Sequence, residues 1–313
     1  MPKAIPFWGI FLLIKLSWRV IYIEESDYLS LYLDNIKIKK GLDETTIPLS
    51  DINSIIIDNY TTTLSVSLIN KCMDYKVNIV TCDNYHLPNS IILPYSGNYQ
   101  SAFQLRKQIN WDKQVLEIMW QYLIKAKINN QIMILKHLKK NSEVINKLTL
   151  FLEEVELNDK TNREGLSAKM YFRELYGKDF KRHAEDTVNA ALNYGYSILR
   201  SQISRALVAR GLNPHLGIFH RGASNAFNLA DDFIEVYRPI VDCYVYQNIT
   251  NESAFIRENR LDLIKLTTKK IKFDGQKQTI TNTINLMIDA FLNTIETGEI
   301  EKLMFPEPII YDL

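Results

Sequence analysis

The sequence predicts an α+β protein, a small N-terminal β-rich domain followed by a larger all-α catalytic domain. Three observations carry this. β-branched and alternating apolar runs crowd the chain from Trp18 to Pro94. Three- and four-residue apolar spacing takes over after about residue 100. The charge balance reverses at the same place: Ser17 to Ser101 holds 6 Lys/Arg and 10 Asp/Glu, a net of −4, whereas Ala102 to Lys147 holds 9 and 3, a net of +6.

The elements follow in order. "RVIYI" reads as a strand. "LSLYLDNIKI" alternates on both sides of Asp34-Asn35, which reads as a hairpin with those two residues in the turn. "INSIIIDN" is a β-branched run of buried-strand type. "TTTLSVSLINKCMDYK" reads as a helix capped by a threonine, with Leu64, Leu68 and Cys72 at helical spacing. "VNIVTCD" and "SIILPY" return to strand. Ser96 to Ser101 reads as the junction. Beyond it, Trp111, Val115, Ile118, Met119 and Tyr122 mark an amphipathic helix. Thr161–Gly177 and Thr187–Gly211 each read as a helix ended by glycine, and "ITNTINLMIDAFLNTIETG" gives another. The domain reading is an N-terminal extension over 1–16, a β-rich domain over 17–96, a linker over 97–102 and a helical domain over 103–313.

Composition narrows the function classes. The chain of 313 residues is 46% hydrophobic and 23% charged, so it can bury a substantial core. Its formal charge of +1 argues weakly against a nucleic-acid binder, but the basic stretch from Arg106 to Lys147 offers a local phosphate-binding face or a solvated helix surface. Cys72, Cys82 and Cys243 form no CxxC pair, which fits a reducing cytoplasmic setting and gives no zinc motif. The apolar run Pro6 to Ile14 is too short to span a bilayer, so no membrane partner is expected. No G-x-x-x-x-G-K-[ST], G-x-S-x-G or H-E-x-x-H pattern occurs, which leaves nucleotide hydrolysis, hydrolase-elbow and zincin chemistry without support.

The chemistry-bearing stretch is "LGIFHRGASNAFNLADDFIEVYRP", Leu216 to Pro239. Ser224 or Asn225 could cap a helix ended by Pro239, and Asp231, Asp232 and Glu235 then share one side of it. Like charges at that spacing repel by about 0.2–0.5 kcal/mol per pair, which water and salt, a nearby arginine or a divalent cation could offset. Arg221 or Arg238 could supply it as a plain ion pair. Alternatively, His220 and the carboxylates could bind Mg²⁺ or Mn²⁺. Spacing alone leaves both readings open.

"REGLSAKMYF", "ALNYGYSILRSQISRALVARGLNPHLGIFHRG" and "DFIEVYRPIVD", in that order and separation, resemble the CRISPR-associated integrase family of the spacer-acquisition module, Cas1, most closely its type II branch. "KAKINNQ", Lys125 to Gln131, belongs to the same resemblance. The likeness covers most of the chain from Ser17 onward, and residues 1–16 have no counterpart. It implies catalytic metal ligands at Glu164, His220 and Glu235, with Asp232 as an auxiliary acid. Many relatives carry Asp at the last ligand position, where this chain has Glu. The remaining histidines His86, His137 and His183 match no motif and read as structural, as do Tyr194 and Tyr196.

The resemblance further implies the activity and the partners. The reaction is 3′-hydroxyl transesterification that inserts short foreign DNA fragments, prespacers, into a CRISPR array, assisted by Mg²⁺ or Mn²⁺. The partners are double-stranded DNA of prespacer and repeat, a second copy of the chain joined through the β domain, and a Cas2-family protein completing a heterohexamer. In the type II branch the resemblance also implies a type II effector nuclease and an accessory acquisition protein as partners. The competing readings are a non-catalytic DNA-binding assembly subunit with a degenerate site and a structure-specific metal-dependent endonuclease.

Overall fold

The computed structural model describes residues 10–12, 19–25, 28–95 and 97–309. The chain divides into two compact units, Met1–Gln104 with Val208–Leu212, and Leu105–Leu207 with Asn213–Leu313.

In chain order the first unit carries β1 (Ile10–Leu12), β2 (Arg19–Ile23), β3 (Tyr28–Tyr32), β4 (Asn35–Lys40), β5 (Asp43–Pro48), β6 (Ile52–Ile57), β7 (Thr63–Leu64), α1 (Val66–Asp74), β8 (Asn78–Cys82) and β9 (Pro88–Ile92). One sheet has the order β1-β2-β6-β8-β9, the other β5-β4-β3-β7. Strand β6 lies between β2 and β8, parallel to both. Parallel central strands are covered on both faces, and every residue of β6 is buried. Ile21, Ile23, Leu29, Ile36, Ile38, Ile55 and Ile79, from both sheets, join Leu68 and Cys72 of α1 in one apolar cluster. Each such side chain contributes about 1.5–3 kcal/mol on burial.

Three local expectations are corrected. The hairpin turn is Leu33-Asp34, one residue before the pair expected, because Leu29 pairs with Ile38 and Leu31 with Ile36. A turn at Asp34-Asn35 would set Leu29 against Lys40, and a register slip of this kind is opposed by a buried face. Helix α1 begins at Val66, capped by Ser65, whose hydroxyl accepts from the Leu68 amide. Leu64 therefore belongs to a strand, and the cap is a serine. Finally, β1 pairs antiparallel with β2, so Ile10–Leu12 is part of a sheet; the remaining residues of 1–16 lie outside the described residues.

Helix α2 (Ser101–Ile109) starts within the stretch read as a linker. The second unit then carries α3 (Lys113–His137), α4 (Ser142–Glu153), α5 (Arg163–Tyr176), α6 (Thr187–Ala209), α7 (Asn228–Ile234), α8 (Arg238–Asn248), α9 (Arg257–Lys265), β10 (Lys270–Phe273), β11 (Gln276–Thr279) and α10 (Ile280–Thr297). It is predominantly helical, not all-helical. "KIKFDGQKQT" folds into the hairpin β10-β11, and both turn residues, Asp274 and Gly275, have positive φ (47° and 72°). Asp-Gly is the pair suited to that conformation. Helix α6 is buried along most of its length. A Cβ on its Gly195 would lie 2.5 Å from Val241 Cγ1 of α8, so the absence of a side chain lets these helices approach closely. Among the described residues no helix is long and apolar enough to cross a membrane.

Candidate active site

Glu164 stands in the first turn of α5, and the local sequence holds it there. Asn162 caps the helix, its side chain accepting from Gly165 N at 3.3 Å. The buried Asp159 carboxylate accepts from the amides of Arg163 (2.8 Å) and Glu164 (3.0 Å). These bonds satisfy donors that a helix start leaves unpaired.

The acids of α7 and its end part company. Asp231 meets Arg200 Nε at 3.7 Å and accepts from Asn225 Nδ2 at 2.7 Å. Asp232 is wholly buried and turns to the 218–220 loop, accepting from the backbone amides of Ile218, Phe219 (3.2 Å) and His220 (3.0 Å). Its Oδ1 also lies 2.7 Å from His220 Nδ1. Glu235, with a side chain 5% exposed, ion-pairs with Arg238 at 3.2 Å and with Lys127. The expected sharing of one side is thus replaced by three separate partnerships. Asn225 and Ser224 do not cap α7, which starts at Asn228 after Phe227 without a side-chain cap. Pro239 does not end that helix either; it sits in the first turn of α8, where a proline's missing N–H costs no helical bond.

Lys127 of α3 is the group that sequence reasoning left without a role. Its ammonium touches Glu164 Oε1 as well as Glu235 Oε2, so two carboxylates far apart in sequence share one cation. Among the described residues no three His, Cys, Asp or Glu side chains form a ready-made metal cluster. Of the expected ligands, Glu164 and Glu235 are brought together through Lys127. His220 is held separately by Asp232, near enough to Glu235 for the two charges to influence one another. The signal for Lys127 was present: a lysine one turn after Leu123 and Ile124, on the buried side of α3.

Electrostatics follow from these partners. The Asp232 hydrogen bond holds the His220 imidazole above its usual value, against the opposing effect of burial. Burial would raise the Glu235 carboxyl, but Arg238 and Lys127 outweigh it and hold it low. Burial would lower the Lys127 ammonium, and Glu235 with Glu164 reverse that. His220 is walled by aromatic rings: Trp120 stacks on Phe219 with centroids 4.4 Å apart and meets His220 edge-on at 5.8 Å. Beside the carboxylates lies a cavity of ≈ 360 Å³ whose lining includes Lys127, Gln131, Lys169, Arg173, Arg182 and Arg238. On the same lining, Tyr196 donates to buried Asp242; Tyr196 therefore has a polar role besides packing.

The basic stretch from Arg106 to Lys147 does not form one charged face. Lys127 is buried between carboxylates, Lys107 pairs with Glu296 at 3.0 Å, and Lys140 lies over the Tyr246 ring. Arg106, Lys136, Lys139 and Lys147 are exposed.

The fold, sheets followed by a mostly helical unit, is shared with solved structures. A casposase bound to integration product matches with a TM-score of 0.72, at 20% identity, over 92% of each chain. A chain of a Cas6-RT-Cas1–Cas2 complex matches with a TM-score of 0.71, at 18% identity, over 93% of this chain and 36% of that one. Residues 21–272 match the family model described as CRISPR associated protein Cas1, and the chain belongs to that family. The CRISPR-associated endonuclease Cas1 of Neisseria meningitidis serogroup C (strain 8013) is 32% identical over 295 residues, 93% of this chain and 97% of the relative.

Proposed function

We propose that this chain is a divalent-metal-dependent integrase that joins the 3′-hydroxyl of a short DNA fragment to a CRISPR repeat by transesterification. The observation that carries the reading is the shared cation: Glu164 and Glu235 converge on one positive charge, Lys127. Two carboxylates with a nearby imidazole suit Mg²⁺ or Mn²⁺, manganese tolerating nitrogen better. Glu164, His220 and Glu235 are the residues that would hold the ion. When bound, it would favour the deprotonated hydroxyl and offset charge on the reacting phosphate.

The chain's own groups do the rest. Asp232 fixes the ring of His220 through Nδ1, which leaves Nε2 as the donor atom for a ligand. Arg238 keeps Glu235 ionised despite burial. The cavity beside the carboxylates brings Lys169, Arg173 and Arg182 to a place where a DNA backbone would need neutralising. Exchange of one phosphodiester for another needs no ATP. The assembly in this reading is a homodimer formed through the β domain and completed by a Cas2-family protein, in a type II system. The structurally similar Cas6-RT-Cas1–Cas2 complex and the Neisseria relative support it.

A second reading, hydrolysis of branched DNA with water replacing the hydroxyl, is favoured by the name endonuclease given to the relative. One experiment separates them. Purified chain, a Cas2-family partner, a short duplex and a supercoiled repeat plasmid are incubated with Mg²⁺. Joined half-site products support integration; free ends without joined strands refute it in favour of hydrolysis.

A further inference from the structure

Lys127 is buried, its side chain 6% exposed, between Glu164 and Glu235. A lysine is retained in such a place only while paired. With Arg238 at 3.2 Å from Glu235, two cations face two carboxylates and the local charge is balanced. A divalent ion shared by the same carboxylates and Lys127 in its present position would upset that balance. The ammonium and the ion therefore compete for the same oxygens.

An alternative resting place exists on the same helix. Gln131 is one turn beyond Lys127 and lines the same cavity. Its Oε1 is buried and has no hydrogen-bond partner among the described residues. A buried acceptor left unpaired in this way is destabilising, so it gains from a donor that arrives. Lysine's flexible stem and three donors suit such a move, as a fixed guanidinium fork would not.

We infer that Lys127 is a positioning residue, an internal counter-ion that keeps Glu164 and Glu235 together in the metal-free protein and leaves them for Gln131 when the ion binds. This rests on the metal-site reading above. The swap keeps Glu164 and the buried Glu235 compensated at every stage.

The test is Mn²⁺ binding by calorimetry, with thermal unfolding, on the full chain. Removing the competitor in Lys127→Met should tighten Mn²⁺ binding at least about tenfold. It should also lower the melting temperature without metal and restore it when Mn²⁺ is added. Gln131→Leu should weaken Mn²⁺ binding, because the displaced ammonium loses its acceptor. Lys127→Arg, whose fixed fork cannot make the move, should bind Mn²⁺ more weakly than wild type, which keeps the test decisive should Lys127→Met not fold. If wild type binds Mn²⁺ and Lys127→Met binds no tighter, or Lys127→Arg binds as wild type does, the counter-ion role is overturned while the metal site stands. If Gln131→Leu binds Mn²⁺ as wild type does, the Gln131 resting place is overturned. If neither wild type nor Lys127→Met binds Mn²⁺, the metal site itself fails and this inference with it.

Discussion

His220 Nδ1 lies 2.7 Å from Asp232 Oδ1, and the same carboxylate collects the amides of Ile218, Phe219 and His220. One buried side chain thus sets both the path of the loop and the orientation of the imidazole. Asp232→Asn keeps the shape but cannot accept all of these donors. It should lower strand transfer and Mn²⁺ affinity about 10–100-fold, as changes behind a metal ligand do. In a His220→Ala background the same change should cost much less, because the two residues act as a unit. Additive losses in that double-mutant cycle would show that Asp232 acts elsewhere.

Gly217 makes the loop's approach possible. A Cβ there would lie 2.3 Å from the His220 carbonyl oxygen and 2.9 Å from Asp232 Oδ2. The first contact is with backbone and cannot be relieved by a rotamer change. Gly217→Ala should therefore displace the loop and depress Mn²⁺ binding, while the helical circular dichroism of the unit persists. Normal Mn²⁺ affinity in Gly217→Ala would mean that the loop's path does not govern the site.

Glu164 and Glu235 should look alike in activity and unlike in stability. Both Glu→Gln variants should abolish strand transfer if both hold the ion. Glu235 is buried against two cations, so Glu235→Gln leaves buried charges uncompensated and should cost about 3 kcal/mol. Glu164 is 31% exposed, and its replacement leaves Lys127 still paired with Glu235, so Glu164→Gln should cost clearly less than Glu235→Gln. Urea unfolding without metal measures both; equal costs would contradict the difference in burial.

The sequence is most legible where one physical requirement dominates. Strand β6 is apolar enough to be a central strand on composition alone, and α10 carries both its boundaries, Thr279 as cap and Gly298 at φ 74°. Strand β5, "DETTIP", is an edge strand with only Ile47 buried, so it shows almost no pattern. The hairpin turn was misplaced because cross-strand apolar pairing overrode the polar pair Asp34-Asn35, forcing Leu33 to φ 53°. At the site, the acids were visible, but their partners were not. Which carboxylate meets Arg200, His220 or Lys127 depends on how α3, α5, α6 and α7 pack, and spacing along one helix carries no such information. Lys127 broke the apolar pattern of α3 and was the one local clue to the convergence.

Asp242 gives the fold a pH dependence whose sign follows from its burial. It lies fully buried on α8, accepting a hydrogen bond from Tyr196. Burial pushes its carboxyl up to about 7, although Tyr196, Arg182, Arg238 and Lys127 all favour the ionised form. A carboxyl raised in the folded state binds its proton more tightly there than in the unfolded chain. Its contribution to stability is therefore complete below the ordinary value of 3.8 and is lost as pH rises through about 7. Asp242→Asn cannot ionise and removes that slope. Between pH 5 and pH 8 wild type should lose on the order of 2–3 kcal/mol relative to Asp242→Asn, read from urea unfolding at both pH values. A constant difference between the two proteins across that window would mean that Asp242 is already ionised at pH 5, with the surrounding cations outweighing its burial.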